Sequence, residues 1–117
     1  MQRWLDRLPL VLAVLFGAGA LFHAVGVVAP GLGNASSSGR HAVFVLINGL
    51  FAAAFFFRQR WIIVPALALI AQQAYSHGTD LARAWAEGRT DVQSLLVLLF
   101  LPVVLVAALH LARRPAR

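Results

Sequence analysis

The sequence contains no cysteine and no lysine, and only four acidic residues among 117. Without a thiol the chain has no disulfide exchange, no thiolate metal ligand and no cysteine nucleophile, which excludes a quinone-linked thiol oxidoreductase of this size. The carboxylates Asp6, Asp80, Glu87 and Asp91 all fall at the margins of apolar runs. A small exporter that couples to protons through a carboxylate at mid-depth is therefore disfavoured. Charged residues make up only 12% of the chain, against 61% hydrophobic, and the mean hydropathy is +0.80. That balance is the reverse of a soluble domain and marks an integral membrane protein. The ten arginines stand at the ends of apolar runs and form no basic face, so nucleic acid is not an expected partner.

Four apolar runs follow in order, at residues 8–29, 41–57, 61–81 and 92–112. Each reaches or approaches the roughly 20 residues that cross a hydrocarbon core of about 30 Å. The expected fold is all-α: a four-transmembrane-helix bundle forming one membrane domain over residues 1–117, with a tight helical hairpin at Arg58-Gln59-Arg60. The second run is short and is expected to begin in Ser36-Ser37-Ser38, with a serine as helix cap. A cleaved signal peptide fits less well, because the first run exceeds the usual apolar length of about 7–15 residues.

Arginine placement sets the orientation. With the N-terminus inside, Arg3, Arg7, Arg58, Arg60, Arg113, Arg114 and Arg117 are cytoplasmic, whereas Arg40, Arg83 and Arg89 are outside and partly offset by Asp80, Glu87 and Asp91. Both termini are then cytoplasmic, and the arginine-only, alanine-rich composition points to a bacterial inner membrane. On that ground the glycosylation sequon Asn34-Ala35-Ser36 is discounted. Trp4 and Trp61 fall at the inner boundary, and Tyr75 and Trp85 near the outer one, as interfacial anchors. Residues 30–39 read as a flexible glycine- and serine-rich connection, and residues 80–91 as a short amphipathic turn before a cap at Thr90 or Asp91.

Against this background the polar residues inside the runs stand out. At 1.5 Å per residue, His23, Asn48 and Gln73 each lie about 10 Å below the outer helix ends. With His77 and Asp80 above them, they make the expected outward-facing ligand site: His23, Asn48, Gln73, His77 and Asp80. Gly19 and Gly26 share the helix face of His23 and permit close approach. His77 and Asp80, three residues apart, can pair so that the carboxylate fixes the imidazole tautomer. His41 and His110 stand at helix ends, where a solvated ring is expected.

Three functional classes fit. The first is binding of a small ligand, a lipid or a metal, the metal set being His23, His41, His77 and Asp80. No cofactor is identified; a bis-histidine haem would need two ligands at one depth, and His23 and His77 differ. The second is an accessory subunit or homo-oligomer, packed through Gly17, Gly19, Gly26, Gly49 and Ala52-Ala53-Ala54, with some rings of Phe55-Phe56-Phe57 meeting lipid or a partner. The third is a lipid-converting enzyme with His77 and Asp80 as a proton-transfer pair. Membrane lipid is a partner in all three.

Overall fold

A computed structural model describes residues 2–29 and 37–114. Most of the 30–39 connection, the sequon, Ser36 and Arg117 lie outside the described residues. Among those described there are four α-helices and no strand: α1 (Gln2–Val28), α2 (Ser38–Phe56), α3 (Ile63–Ala86) and α4 (Val92–Ala112), with a 3₁₀ turn at Arg60–Ile62. Helices α1, α2 and α4 are long and apolar enough to cross a membrane, the composition of a multi-pass membrane protein. Helix α3 is not among these three; Gln72, Gln73, Ser76, His77, Thr79 and Asp80 dilute its apolar character.

The chain divides into two compact units, residues 1–59 and 60–117. The first is the α1–α2 hairpin. Leu8, Leu12, Phe16, Gly19, His23 and Gly26 recur at three or four residues and make one stripe on α1. His41, Phe44, Asn48, Phe51 and Phe55 make the matching stripe on α2, running the other way. Their meeting builds three layers. Phe16 stacks on Phe51 and Phe55, with ring centroids 5.1 and 5.8 Å apart, at one level. Gly19 faces Asn48 at the next. His23 meets His41 at the last. Phe55 is wholly buried, while Phe56 and Phe57 are exposed, so two rings of the triple phenylalanine do point outward.

The second unit is the α3–α4 hairpin. On α4 the buried residues Ser94, Leu101, Val104, Ala108 and Leu111 follow seven-, three- and four-residue steps, the seam of a close helix pair. The buried residues that precede α4 in this hairpin are few: Ile62 in the 3₁₀ turn and Ala66 and Ala84 in α3. Pro102 is exposed and α4 continues through it.

Helix ends explain where the sequence expectations shift. Helix α1 begins at Gln2, six residues before the apolar run, because its charged first turns are helical although not apolar. Helix α2 begins at Ser38, with the Ser37 hydroxyl accepting from the Arg40 N–H at 3.3 Å. Helix α3 runs on to Ala86, so residues 80–86 are its last turns and not a separate amphipathic turn. Helix α4 has the expected bounds, and Asp91 is its cap.

The two C-terminal ends share one geometry. After α3, Gly88 takes a φ of +69°, the Arg89 N–H donates to the Ala84 carbonyl and the Gly88 N–H to Trp85. After α2 the same bonds run from Gln59 to Ala54 and from Arg58 to Phe55, but the left-handed residue is Arg58, with φ 54°. A side chain in that conformation costs roughly 1–2 kcal/mol. Arg58→Gly is therefore expected to raise stability by about 1 kcal/mol, and Gly88→Ala to lower it by about as much, measured by reversible unfolding in mixed micelles. An unchanged midpoint for both variants would contradict this account.

Candidate functional site

The expected ligand and metal residues fall in different units. His23, His41 and Asn48 belong to the first, and Gln73, His77 and Asp80 to the second, so each group is described in its own hairpin.

In the first hairpin the two histidines touch. His23 Nδ1 lies 2.9 Å from His41 Nδ1, a hydrogen-bond distance that requires one nitrogen to carry the proton and the other to accept it. His41 is not the solvated helix-end residue expected from the sequence; it is 1% exposed. The reason is its neighbour on α1: from the first turn of α2 the ring lies over Gly26. A Cβ built on Gly26 would sit 2.8 Å from three atoms of the His41 ring, so only glycine leaves room for the imidazole to lie there. His23 is half-buried, stacked on Phe44 at 5.0 Å and touched at its edge by Phe22. The Nε2 atom of His41 is buried with no hydrogen-bond partner. Orphan polar atoms of this kind are uncommon and point to strain, function or a missing ligand.

Asn48 is less available. Its amide Nδ2 donates to the Phe44 carbonyl of its own helix at 2.8 Å, and its Oδ1 closes over Gly19. Gln73 similarly donates to the neighbouring Gln72 side chain at 2.6 Å. Both amides thus have local partners.

In the second hairpin His77 is half-buried, and its partner is Ser94 on α4. His77 Nδ1 lies 2.9 Å from Ser94 Oγ, and Ser94 Oγ donates to Asp91 Oδ2 at 2.6 Å. The Ser94 backbone N–H donates to Asp91 Oδ1 at 3.0 Å. Asp80, the expected partner of His77, instead has Arg83 at 3.9 Å. The serine has a single hydroxyl proton, and the carboxylate can only accept. Ser94 therefore accepts from His77, which carries a proton on Nδ1 and, as the neutral ring, presents Nε2 as the acceptor. The trio contains the residue types of a serine-hydrolase triad in the wrong order: the serine donates to the acid, and the histidine does not act on the serine as base.

The two Ser94 bonds, first the hydroxyl and then the backbone N–H, hold the Asp91 carboxyl below its ordinary value. A carboxyl depressed in the folded state contributes stability that is complete above its unfolded pKa, about 3.9, and is lost as pH falls through the lower folded value. The Asp91 cap at the start of α4 is accordingly expected to stay intact between pH 5 and 8 and to be lost only in acid. Nitrogen NMR of His77 should report the Nδ1–H tautomer in wild type and a mixture in Ser94→Ala. A mixture already present in wild type would contradict the bond order.

Among the described residues, no group of three or more histidine and carboxylate side chains is placed to hold a metal ion. A cavity of about 370 Å³ opens at the opposite end of the first hairpin from its histidines, lined by Leu10, Ala13, Val14, Ala52, Ala53 and Phe56. No polar side chain lines it, so polar residues in the sequence do not mark it; only Ala52 and Ala53 do, as packing positions. Compared with family models, characterised proteins and solved structures, the chain matches none.

Proposed function

We propose that this chain is a four-span protein of a bacterial inner membrane, with both termini cytoplasmic and α3 as the fourth span. Its outward-facing polar residues bind a small hydroxyl-bearing ligand or a lipid headgroup. One observation carries the reading: in each hairpin a histidine is held through Nδ1, His41 by His23 and His77 by Ser94, so that Nε2 is the nitrogen left to meet a ligand. In His41 that atom is buried and unpartnered, a state that a ligand's hydrogen bond would relieve by about 1–3 kcal/mol. A hydroxyl suits it whichever histidine of the pair holds the shared proton, because it both donates and accepts.

The experiment is mass spectrometry of small molecules retained by the purified full chain in nanodiscs. Wild type should retain one hydroxyl-bearing species near unit stoichiometry, and His41→Phe should lose it with helix content unchanged. Retention of the same species by His41→Phe and His77→Phe, or of none by wild type, would sink the binding reading. The Asp91–Ser94 backing of His77 also favours a second reading, proton transfer on a bound lipid, in which His77 Nε2 is the base. That reading requires conversion of the retained species on incubation, and is abandoned if it is recovered unaltered.

A further inference from the structure

The α3–α4 hairpin has unlike ends. Where α3 stops and α4 starts, arginine and carboxylate are matched: Arg83 lies beside Asp80, and Arg89 forms an ion pair with Glu87. Where α3 starts and α4 stops, the described residues of this hairpin include no acid. Neither 60–79 nor 92–114 contains an Asp or Glu. Into this end project two exposed arginines, Arg60 and Arg113. Arg60 Nη2 donates to the Ala112 carbonyl at 3.2 Å, across 52 positions of sequence, which puts its guanidinium beside the peptide bond that leads into Arg113. The last carbonyls of α4 carry partial negative charge, and they hold Arg60 there.

The surroundings are those of a membrane boundary. Trp61, next to Arg60, is 49% exposed, and behind it Val64, Leu67 and Val106 present exposed apolar side chains. A pair of exposed arginines with no carboxylate among the described residues of their own end of the hairpin, one of them bonded to the end of α4, above an apolar face that can lie along acyl chains, suits a phosphate carried on a lipid. We infer that this end of the hairpin binds the headgroup phosphate of an anionic phospholipid through Arg60 and Arg113. Guanidinium is suited to this role because its planar fork meets two phosphate oxygens at once. The fixed Arg60 loses little freedom on binding. The inference is independent of the histidine reading, since it concerns the opposite end of the helices.

The test is native mass spectrometry of the full chain released from nanodiscs containing equal amounts of phosphatidylglycerol and phosphatidylcholine. Wild type is expected to retain phosphatidylglycerol in preference. Each arginine near an anionic surface is worth about fivefold in binding, so Arg113→Gln should reduce retention about fivefold and the double variant Arg60→Gln/Arg113→Gln about twenty-five-fold. Arg113 is exposed and lies just past the last residue of α4, so the single variant keeps the test decisive if the double variant misfolds. Arg83→Gln/Arg89→Gln, at the matched end, should retain lipid as wild type does. Equal retention of the two lipids by wild type, or undiminished phosphatidylglycerol on Arg113→Gln, would overturn the inference. Displacement of the lipid by micromolar glycerol phosphate would overturn the choice of a membrane lipid over a soluble phosphate.

Discussion

Phe55→Ala is expected to destabilise the α1–α2 hairpin by about 3–5 kcal/mol, the range for deleting a fully buried aromatic side chain. Phe55 has no exposed surface and stacks against Phe16, which also stacks on Phe51. Lipid does not readily replace these contacts, because the ring meets other rings on the inner face of the hairpin. Between membrane helices, packing rather than water exclusion supplies the association energy, so the loss falls directly on the helix pair. Phe56→Ala and Phe57→Ala, at exposed positions one and two residues further on, should each change stability by less than about 1 kcal/mol. Steric trapping in bicelles measures all three on one scale. Equal effects at the three positions would mean that the rings are not sorted as described.

The second large effect is expected from a single methyl group. Gly26→Ala places a Cβ 2.8 Å from the His41 ring, and the ring is enclosed and bonded to His23. Overpacking of this kind costs about 1–3 kcal/mol, and here it should also break the histidine contact. Gly19→Ala makes a numerically closer approach, 2.6 Å, but to the terminal oxygen of the Asn48 side chain, which can rotate aside. Its cost should stay below about 1 kcal/mol. Gly17→Ala and Gly49→Ala meet nothing within 4 Å and should be neutral. Measured unfolding free energies therefore order as Gly26 far above Gly19, with Gly17 and Gly49 near zero. An equal loss at Gly19 and Gly26 would remove the special position of His41. Nitrogen shifts of both rings give a second readout: Gly26→Ala should return His23 to the spectrum of an isolated imidazole.

What the sequence discloses here is mostly one-dimensional. Apolar runs locate the helices, and the caps are legible to within a residue or two, in Ser36-Ser37-Ser38 and at Thr90 or Asp91, because a cap is a local matter of one oxygen and an N–H three residues on. Hydropathy, however, reports depth in hydrocarbon and not hydrogen bonding, so it places the start of α1 at residue 8 although its charged first turns are helical from Gln2. The same confusion detached residues 80–86 from α3. The site was legible to a similar depth. His23, with its flanking glycines, was recognisable as a residue facing another helix. Which residue it meets depends on the register between helices, and a periodicity along one helix does not contain that. His77 went to Asp80 by helical spacing, whereas its bond crosses to Ser94, seventeen residues away. His41, in the first turn of its helix, reads as solvated because nothing in its own helix shows that Gly26 on α1 leaves room for the ring.

One bond described above carries over to chemical labelling. Ser94 is 2% exposed, and its hydroxyl proton is committed to Asp91. Fluorophosphonate probes and sulfonyl fluorides need an oxygen that a neighbouring base can strip, and here the neighbouring imidazole gives a proton instead of taking one. An inhibitor library aimed at serine enzymes should therefore leave this protein unmarked, even with histidine, serine and aspartate side by side.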